Sequence, residues 1–472
     1  MQLPNDFILQ MKDIIGDENS RRLCDALAEK ATVSIRLNRA KTSDIPFDTD
    51  TVGKPVAWCN DGFYLKERPL FTLDPLLHAG AYYVQEASSM FLSHVVGTLL
   101  GKRTADDDIE KTDLAPLAIL DMCAAPGGKS TILRTMMPQD SLLIANEPIG
   151  RRANILSENI QKQGFPNTIV TNNYPKDFSR SGIMFDFILC DVPCSGEGMF
   201  RKDRQAIEEW SPQSVAKCQA LQREIVSEAW KCLRDGGTMI YSTCTFNTRE
   251  NEENIRWIAD ELGGEVIDIP TEPSWNISGS LLKDFNMPVY RFIPGKTEGE
   301  GLFMAVIRKK GDTTVYSKAN RNIKGKNRNN GKNGTVDLSK YIRRADDFTT
   351  IETDGDIVAF PKMWEQIYKT ARKNLRIVHA GITIGQTKGR DFIPHQALAL
   401  STILKKDAFP CVDLEYEDAI KYLRKESIEL HGDVPRGYVV VCYKGLPLGF
   451  VKNIGNRSNN LYPNEWRVRM TL

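Results

Sequence analysis

Two of the ten cysteines stand in positions where sulfur could do chemistry: Cys194, in FDFILCDVPCSGEGMFRKD (185–203), and Cys244, in GTMIYSTCTFNTRENEEN (237–254). Each follows an apolar run and falls in the polar loop after it, and Asp191 precedes Cys194 by three residues. A thiolate paired with an acid suits covalent catalysis, and methyl transfer to a pyrimidine is one reaction that needs it. Carbon 5 of cytosine is a poor nucleophile, but sulfur added at carbon 6 makes the ring an enamine that can attack a methyl sulfonium. An acid on the ring nitrogen and exocyclic amine steadies the charge, and a base must then remove the carbon 5 proton. Taken singly, either cysteine reads equally well as core or loop filler, because free cysteines are among the most buried residue types. Cys190, Cys218 and Cys232 are read as packing residues. No C-x-x-C pair occurs and the five histidines are far apart, so no metal site is expected.

The second chemical locus is AILDMCAAPGGKST (118–131), a strand ending near Asp121 and a turn of small residues opening a helix near Ser130. Ala124, Ala125, Gly127 and Gly128 let a ligand approach the backbone, and the free amides of a helix start suit an anionic ligand end. The phosphate-loop pattern G-x-x-x-x-G-K-[ST] fails because Cys123 stands where it needs glycine. The G-x-G-x-x-G dinucleotide pattern is also absent, with Pro126 interrupting the turn. One strand later, Glu147 ends LLIANE, where an acid can accept hydrogen bonds from ribose hydroxyls.

These loops need a scaffold with their strands side by side. Apolar runs at Leu117–Met122, Leu142–Ala145, Thr168–Thr171, Phe185–Leu189 and Thr238–Tyr241 alternate with longer amphipathic stretches, which implies a doubly wound parallel α/β sheet. In such a sheet ligands bind at the carboxyl ends of the strands, so both thiols are expected to face one pocket. Ser211 and Pro212 open a helix with Gly236 near its end, and Asn247 with Glu250 reads as a capping box. Residues 1–100 form a small lobe with a strand at Val33–Leu37, where Arg36 and Asn38 are candidate contacts for a nucleic-acid backbone, as are Arg201, Lys202 and Arg204 beside the site. The acidic stretch 104–113 reads as a solvated loop, and 313–336, rich in Lys, Arg and Asn, as a flexible basic linker.

The expected domains are 1–100, 101–311, a linker at 312–336, 337–390, and a small β-rich closing unit at 391–472. At 472 residues, with 62 Lys plus Arg against 61 Asp plus Glu, the chain exceeds one core and offers local basic patches, not global basicity. With no apolar run long enough for a bilayer and Pro4 and Asp6 in the opening segment, a cytoplasmic protein with reduced thiols is expected.

DMCAAPGGKS, DVPCSGEGMFRKD and STCTFNTRENEENI, in that order, closely resemble the motifs of the Nop/Sun family of RNA cytosine-5 methyltransferases, and YYVQEASSM resembles that family's lead-in. The resemblance spans about residues 82 to 310 and implies a Rossmann-like core that binds S-adenosylmethionine. It also implies that Cys244 is the nucleophile, that Cys194 aids product release as the base or by assisting it, and that Asp191 and Lys129 belong to the catalytic group. Cofactor contacts would be Cys123, Ala124, Ala125, Pro126, Gly127, Gly128, Lys129, Glu147, Arg152 and Asp191. Where many members carry an acid after the third strand, this chain has Thr171, Asn172, Asn173 and Tyr174, and Asn173 is the expected adenine contact.

RIVHAGITIGQ and RGYVVVCYKGLPLGFVKNIGNRSNNLYP are similar to the trailing region of the bacterial branch that modifies small-subunit ribosomal RNA. That similarity implies a PUA-like RNA-binding domain at the end, and ribosomal RNA or the nascent small subunit as partner to a monomer without membrane association. Three rivals remain at this stage: a methyltransferase for tRNA or another RNA, a DNA cytosine-5 methyltransferase using Cys194 as nucleophile, and a non-catalytic RNA-binding assembly factor.

Overall fold

The computed structural model describes residues 3–101, 115–311, 336–389 and 391–470. The acidic stretch 104–113 and, save its last residue, the basic stretch 313–336 lie outside the described residues.

The N-terminal part comprises helix α1 (Asn5–Ala28), strands β1 (Val33–Leu37), β2 (Val52–Val56) and β3 (Cys59–Leu65), the short helix α2 (Pro75–His78) and β4 (Tyr82–Val84). Its four strands form one antiparallel sheet in the order β2-β3-β1-β4. Helix α3 (Phe91–Leu99) leads into the central sheet and buries Phe91, Leu92, Val95 and Val96 against it.

The central sheet alternates strands and helices: β5 (Ala118–Asp121), α4 (Gly128–Met136), β6 (Leu142–Asn146), α5 (Gly150–Gln163), β7 (Thr168–Thr171), α6 (Pro175–Ser181) and β8 (Phe185–Asp191). Then come α7 (Arg204–Glu209), α8 (Pro212–Cys232), β9 (Leu233–Thr243), α9 (Glu252–Leu262), β10 (Gly264–Ile267), β11 (Tyr290–Phe292) and β12 (Leu302–Lys309). The order β9-β8-β5-β6-β7 is parallel throughout, so the chain reverses direction of travel across the sheet between β5 and β8. This is the doubly wound arrangement expected from the alternation, and it fixes the ligand edge at the carboxyl ends of the strands. Strands β5 to β8 are buried almost end to end, as a sheet covered on both faces requires.

Beyond the core lie β13 (Phe348–Thr353), β14 (Asp356–Pro361), α10 (Glu365–Asn374), β15 (Ile377–Ala380), β16 (Ile382–Lys388), β17 (Asp391–Pro394) and α11 (Gln396–Ala399). The last segment holds β18 (Cys411–Asp413), α12 (Tyr416–Leu423), β19 (Gly437–Tyr443), β20 (Leu446–Asn453) and β21 (Ser458–Asn460). Two further four-stranded sheets result, β13-β14-β16-β17 and β18-β19-β20-β21. Strand β15 joins neither; it pairs antiparallel with β7 at the edge of the catalytic sheet.

Two local expectations are corrected. The long helix does start at the Ser211 cap, whose hydroxyl accepts from Ser214 N, but it ends at Cys232 and passes directly into β9, before Gly236. Asn247 and Glu250 do bond each other, yet they close a turn ahead of α9, whose N-cap is Asn251.

Candidate active site

Strands β8 and β9 are neighbours in register, with Asp191 opposite Ser242, so the loops that leave them run side by side. Cys194 and Cys244 meet there, with their Sγ atoms 3.3 Å apart. Both are half-buried, whereas Cys190 and Cys232 are packed in the core as expected; Cys218 is only half-buried. The hydrogen bond with Cys244, reinforced by burial, holds the Cys194 thiol well above its ordinary pKa.

Asp191 ends β8 beside this pair. Its Oδ2 accepts from Lys129 Nζ at 2.8 Å and its Oδ1 from the Ser242 hydroxyl at 2.8 Å. Burial opposes charge on Lys129, but the attraction of Asp191 outweighs it and leaves the ammonium more firmly protonated than usual. Lys129 lies in the first turn of α4, directly after the small-residue turn, so the helix start carries a cation to the thiol pocket.

Buried carboxylates that sequence reasoning missed hold the two loops together. Glu197, with no solvent exposure, accepts from the backbone amides of Phe246 at 2.6 Å and Asn247 at 3.0 Å. It also accepts from the side chains of Asn247, Trp210 and Gln10. Gly198 N donates to Cys244 O at 2.7 Å, and a Cβ on Gly198 would stand 2.4 Å from that oxygen, so only glycine allows the approach. Glu250 takes Ser195 N and Gln222 Nε2, tying the Cys194 loop to α8. The fully buried pair Arg291–Glu252 adds a third brace, through Arg291 Nη1 to Phe246 O. The only signal in the sequence was an acid inside each polar loop.

The other end of the site lies across the sheet reversal. The turn 122–127 reaches Gly127 at φ 116°, a conformation that favours glycine, and a Cβ there would press on Leu156 at 3.3 Å. Asp121, fully buried, takes the Ser130 hydroxyl on Oδ2 and has no partner on Oδ1; burial pushes its pKa up to about 7. Glu147 is buried at the end of β6, bonded by Ile149 N and 3.1 Å from Arg152 Nη1. Arg152 also donates to Ala125 O, so it links Glu147 to the turn. A turn of small residues that leaves its backbone open, at the start of a helix, and a carboxylate at the end of the next strand suit a nucleoside that carries an amino-acid end, as S-adenosylmethionine does. The amide of Asn173 is engaged by Asp177 Oδ2 and by Arg376 N.

Several expected RNA contacts are internal struts instead. Arg36 is buried and bonds Gln85 and Thr131, Asn38 bonds Gly80 O and Gln163 O, and Arg201 pairs with Glu300 while donating to Gly299 O. Lys202, whose Nζ lies 3.4 Å from Glu300 Oε1, and the exposed Arg204, paired with Glu208, line a cleft of about 810 Å³ between the start of α1 and residues 200–208. Among the described residues, no helix is long and apolar enough to cross a membrane.

Known proteins match this chain along its whole length. Three family profiles align: the N-terminal domain of 16S rRNA methyltransferase RsmF over residues 3–87, 16S rRNA methyltransferase RsmB/F over 112–308, and the methyltransferase RsmF PUA domain over 409–468. Ribosomal RNA small subunit methyltransferase F of Aliivibrio fischeri is 31% identical over 485 residues, covering 98% of this chain and 97% of that one. The protein of the same name from Erwinia tasmaniensis is 29% identical, covering 98% and 96%. Among solved structures, NSun6 from Pyrococcus horikoshii with SFG aligns at TM-score 0.52 and 21% identity, over 66% of this chain and 99% of that one. A methyltransferase homologue from Pyrococcus horikoshii aligns at TM-score 0.51 and 24% identity, over 65% and 100%. These two likenesses concern the fold. Similarity at 31% that leaves almost nothing of either chain unmatched places the protein by descent: it belongs to the ribosomal RNA small subunit methyltransferase F family.

Proposed function

We propose that this protein methylates carbon 5 of a cytosine in small-subunit ribosomal RNA through a covalent bond between Cys244 and the base. The observation that carries the reading is the pair of thiols 3.3 Å apart beside the Lys129–Asp191 ion pair. S-adenosylmethionine would supply the electrophilic methyl group, held by the turn 123–129, Glu147 and Arg152.

We take Cys244 as the sulfur that adds to carbon 6, the role the family resemblance implies for it, with Cys194 as its hydrogen-bonded neighbour. Lys129 and Asp191 form one hydrogen-bonded unit that can hold the ring nitrogen and exocyclic amine as charge builds there. Once the carbon 5 proton has passed to a base, Cys194 itself or a water that Cys194 holds, Cys244 leaves as a thiolate, and the Cys194 sulfur 3.3 Å away is placed to assist.

RNA would be held from both ends of the chain. Leu73 and Ala79 of the N-terminal part share one apolar cluster with Ala419, Leu423 and Val451 of the C-terminal part, and Tyr416 donates to Leu73 O. We assign residues 1–100 and 391–472 to RNA binding, 101–311 to catalysis, and 337–390 to joining them, in a monomer working in the cytoplasm. Lys202 and Arg204 on the cleft rim are the backbone contacts we retain. The target must be unstacked first, a step that is least costly in a single-stranded loop.

Purified protein incubated with labelled S-adenosylmethionine and small subunits or their RNA tests the reading. Cys244→Ala is expected to abolish transfer, and Cys194→Ala to accumulate a denaturation-resistant protein–RNA adduct. Adducts formed by Cys244→Ala and not by Cys194→Ala would reverse the assignment, and no transfer to any RNA by the wild type would favour a binding-only protein.

A further inference from the structure

The adenosine end of the site leans on a segment some 200 residues downstream. Strand β15 extends the catalytic sheet by pairing Ile377 with Thr171, His379 with Val170 and Ala380 with Ile169. Just before it, Arg376 N donates to Asn173 Oδ1 at 2.9 Å, Arg376 O accepts from Asn172 N at 2.9 Å, and Arg376 Nη1 donates to Asn172 Oδ1 at 3.1 Å. The two asparagines pass this constraint inward. Asn172 Nδ2 donates to the carbonyls of Glu147 and Pro148, and Asn173 N donates to Asn146 Oδ1. Asn146, itself fully buried, donates to Met122 O, the start of the small-residue turn, and to Asn173 O. The downstream segment is in turn seated firmly. Trp364, Tyr368, Ala371 and Leu375 around α10 lie in the same apolar cluster as β5 and β8, and Trp364 Nε1 donates to Asp140 O.

We infer that residues 376–380 are a structural part of the cofactor site, with Arg376 acting as a positioning residue through Asn173. The inference rests on the reading that the carboxyl ends of β6 and β7 receive adenosine. Without this segment, β7 would be an open edge, Asn172 N would lose its acceptor and both asparagine side chains a donor, leaving the Asn173 backbone held by Asn146 alone. Cofactor binding is thereby linked to docking of the segment that joins catalytic core and RNA-binding end.

The test uses the full-length protein, with S-adenosylhomocysteine and 5′-methylthioadenosine as probes in calorimetry. Arg376→Pro removes the donor to Asn173 while keeping the carbonyl that Asn172 uses; Arg376→Ala keeps both backbone bonds. Arg376→Pro is expected to weaken both probes by the same factor, about fivefold to tenfold for one lost hydrogen bond. Arg376→Ala should stay within about twofold of wild type, the scale of one exposed side-chain hydrogen bond. RNA affinity, measured separately, should hold in both. Hydrogen exchange on the wild type covers the case in which the proline variant misfolds: S-adenosylhomocysteine should raise amide protection in 376–380. Unchanged protection there, or an Arg376→Pro protein that binds both probes like wild type, overturns the inference alone. A wild-type protein that binds neither probe overturns the functional reading, and the inference with it.

Discussion

The two ends of the site are built in opposite ways. At the sulfur end, both reactive loops come from adjacent strands within about sixty residues, and the braces are buried carboxylates of those same loops, Glu197, Glu250 and Glu252. At the adenosine end, the final contacts are neutral amides, Asn146, Asn172 and Asn173, and the outermost support comes from Arg376 in a different part of the chain. A thiolate that must add and leave within a few tenths of an ångström needs loops that cannot drift, and charge-assisted hydrogen bonds in a dry interior provide that. A cofactor that enters and departs each cycle is better served by an edge whose support comes from a separable element. The molecule thus keeps its covalent chemistry autonomous and makes its cofactor binding depend on how the chain is assembled.

If the sulfur end is braced from within, Glu197 is its keystone. Glu197→Ala would leave five N–H groups without their acceptor, and we expect a loss of about 3 kcal/mol or more in denaturant unfolding. The milder Glu197→Gln should lower kcat about tenfold, the scale of one misaligned hydrogen bond at a reacting centre, with binding of S-adenosylhomocysteine unchanged. Weakened cofactor binding in Glu197→Gln would break the comparison, because it would mean that the two ends are one network.

Ser242 gives a smaller and more local test. Its hydroxyl holds Asp191 Oδ1 while Lys129 holds Oδ2. Ser242→Ala should therefore leave Asp191 held by Lys129 alone, reducing kcat by about fivefold to tenfold with the KM for RNA unchanged. Combining it with Arg376→Pro sharpens the comparison further: effects on separate ends should add to within about 0.5 kcal/mol.

The same contrast explains what could be read from the sequence. The thiol loops, the small-residue turn and the alternation of strands and helices were legible because each is local: apolar runs mark the strands, and residue types within ten positions mark the chemistry. The Ser211–Pro212 helix start was legible for the same reason. Arg36, Asn38 and Arg201 were misread because an arginine or asparagine in a polar context looks the same whether it faces water or a buried carbonyl. Glu197 was passed over because its partners, from Gln10 to Asn247, are brought together only by folding. Asn173 drew attention by position alone; nothing near it in sequence announces Arg376.

Asp121 stands where the two ends meet, and it allows the finest test. Burial raises its pKa from 3.8 to about 7, with one oxygen on Ser130 and the other unpartnered. A carboxyl whose folded pKa exceeds its unfolded value binds its proton more tightly in the native state. Its stabilising contribution is therefore complete below the unfolded pKa and is lost as pH rises through the folded one. Across pH 4 to 7 the ligand-free protein should lose stability through this group, by at most about 1.4 kcal/mol per pH unit at the steepest point. Asp121→Asn should remove that slope while still accepting from Ser130, and urea titrations of both proteins at several pH values measure the difference. Parallel curves would mean that Asp121 is already ionised inside the fold, with the Ser130 hydroxyl and the Cys123 amide holding its charge.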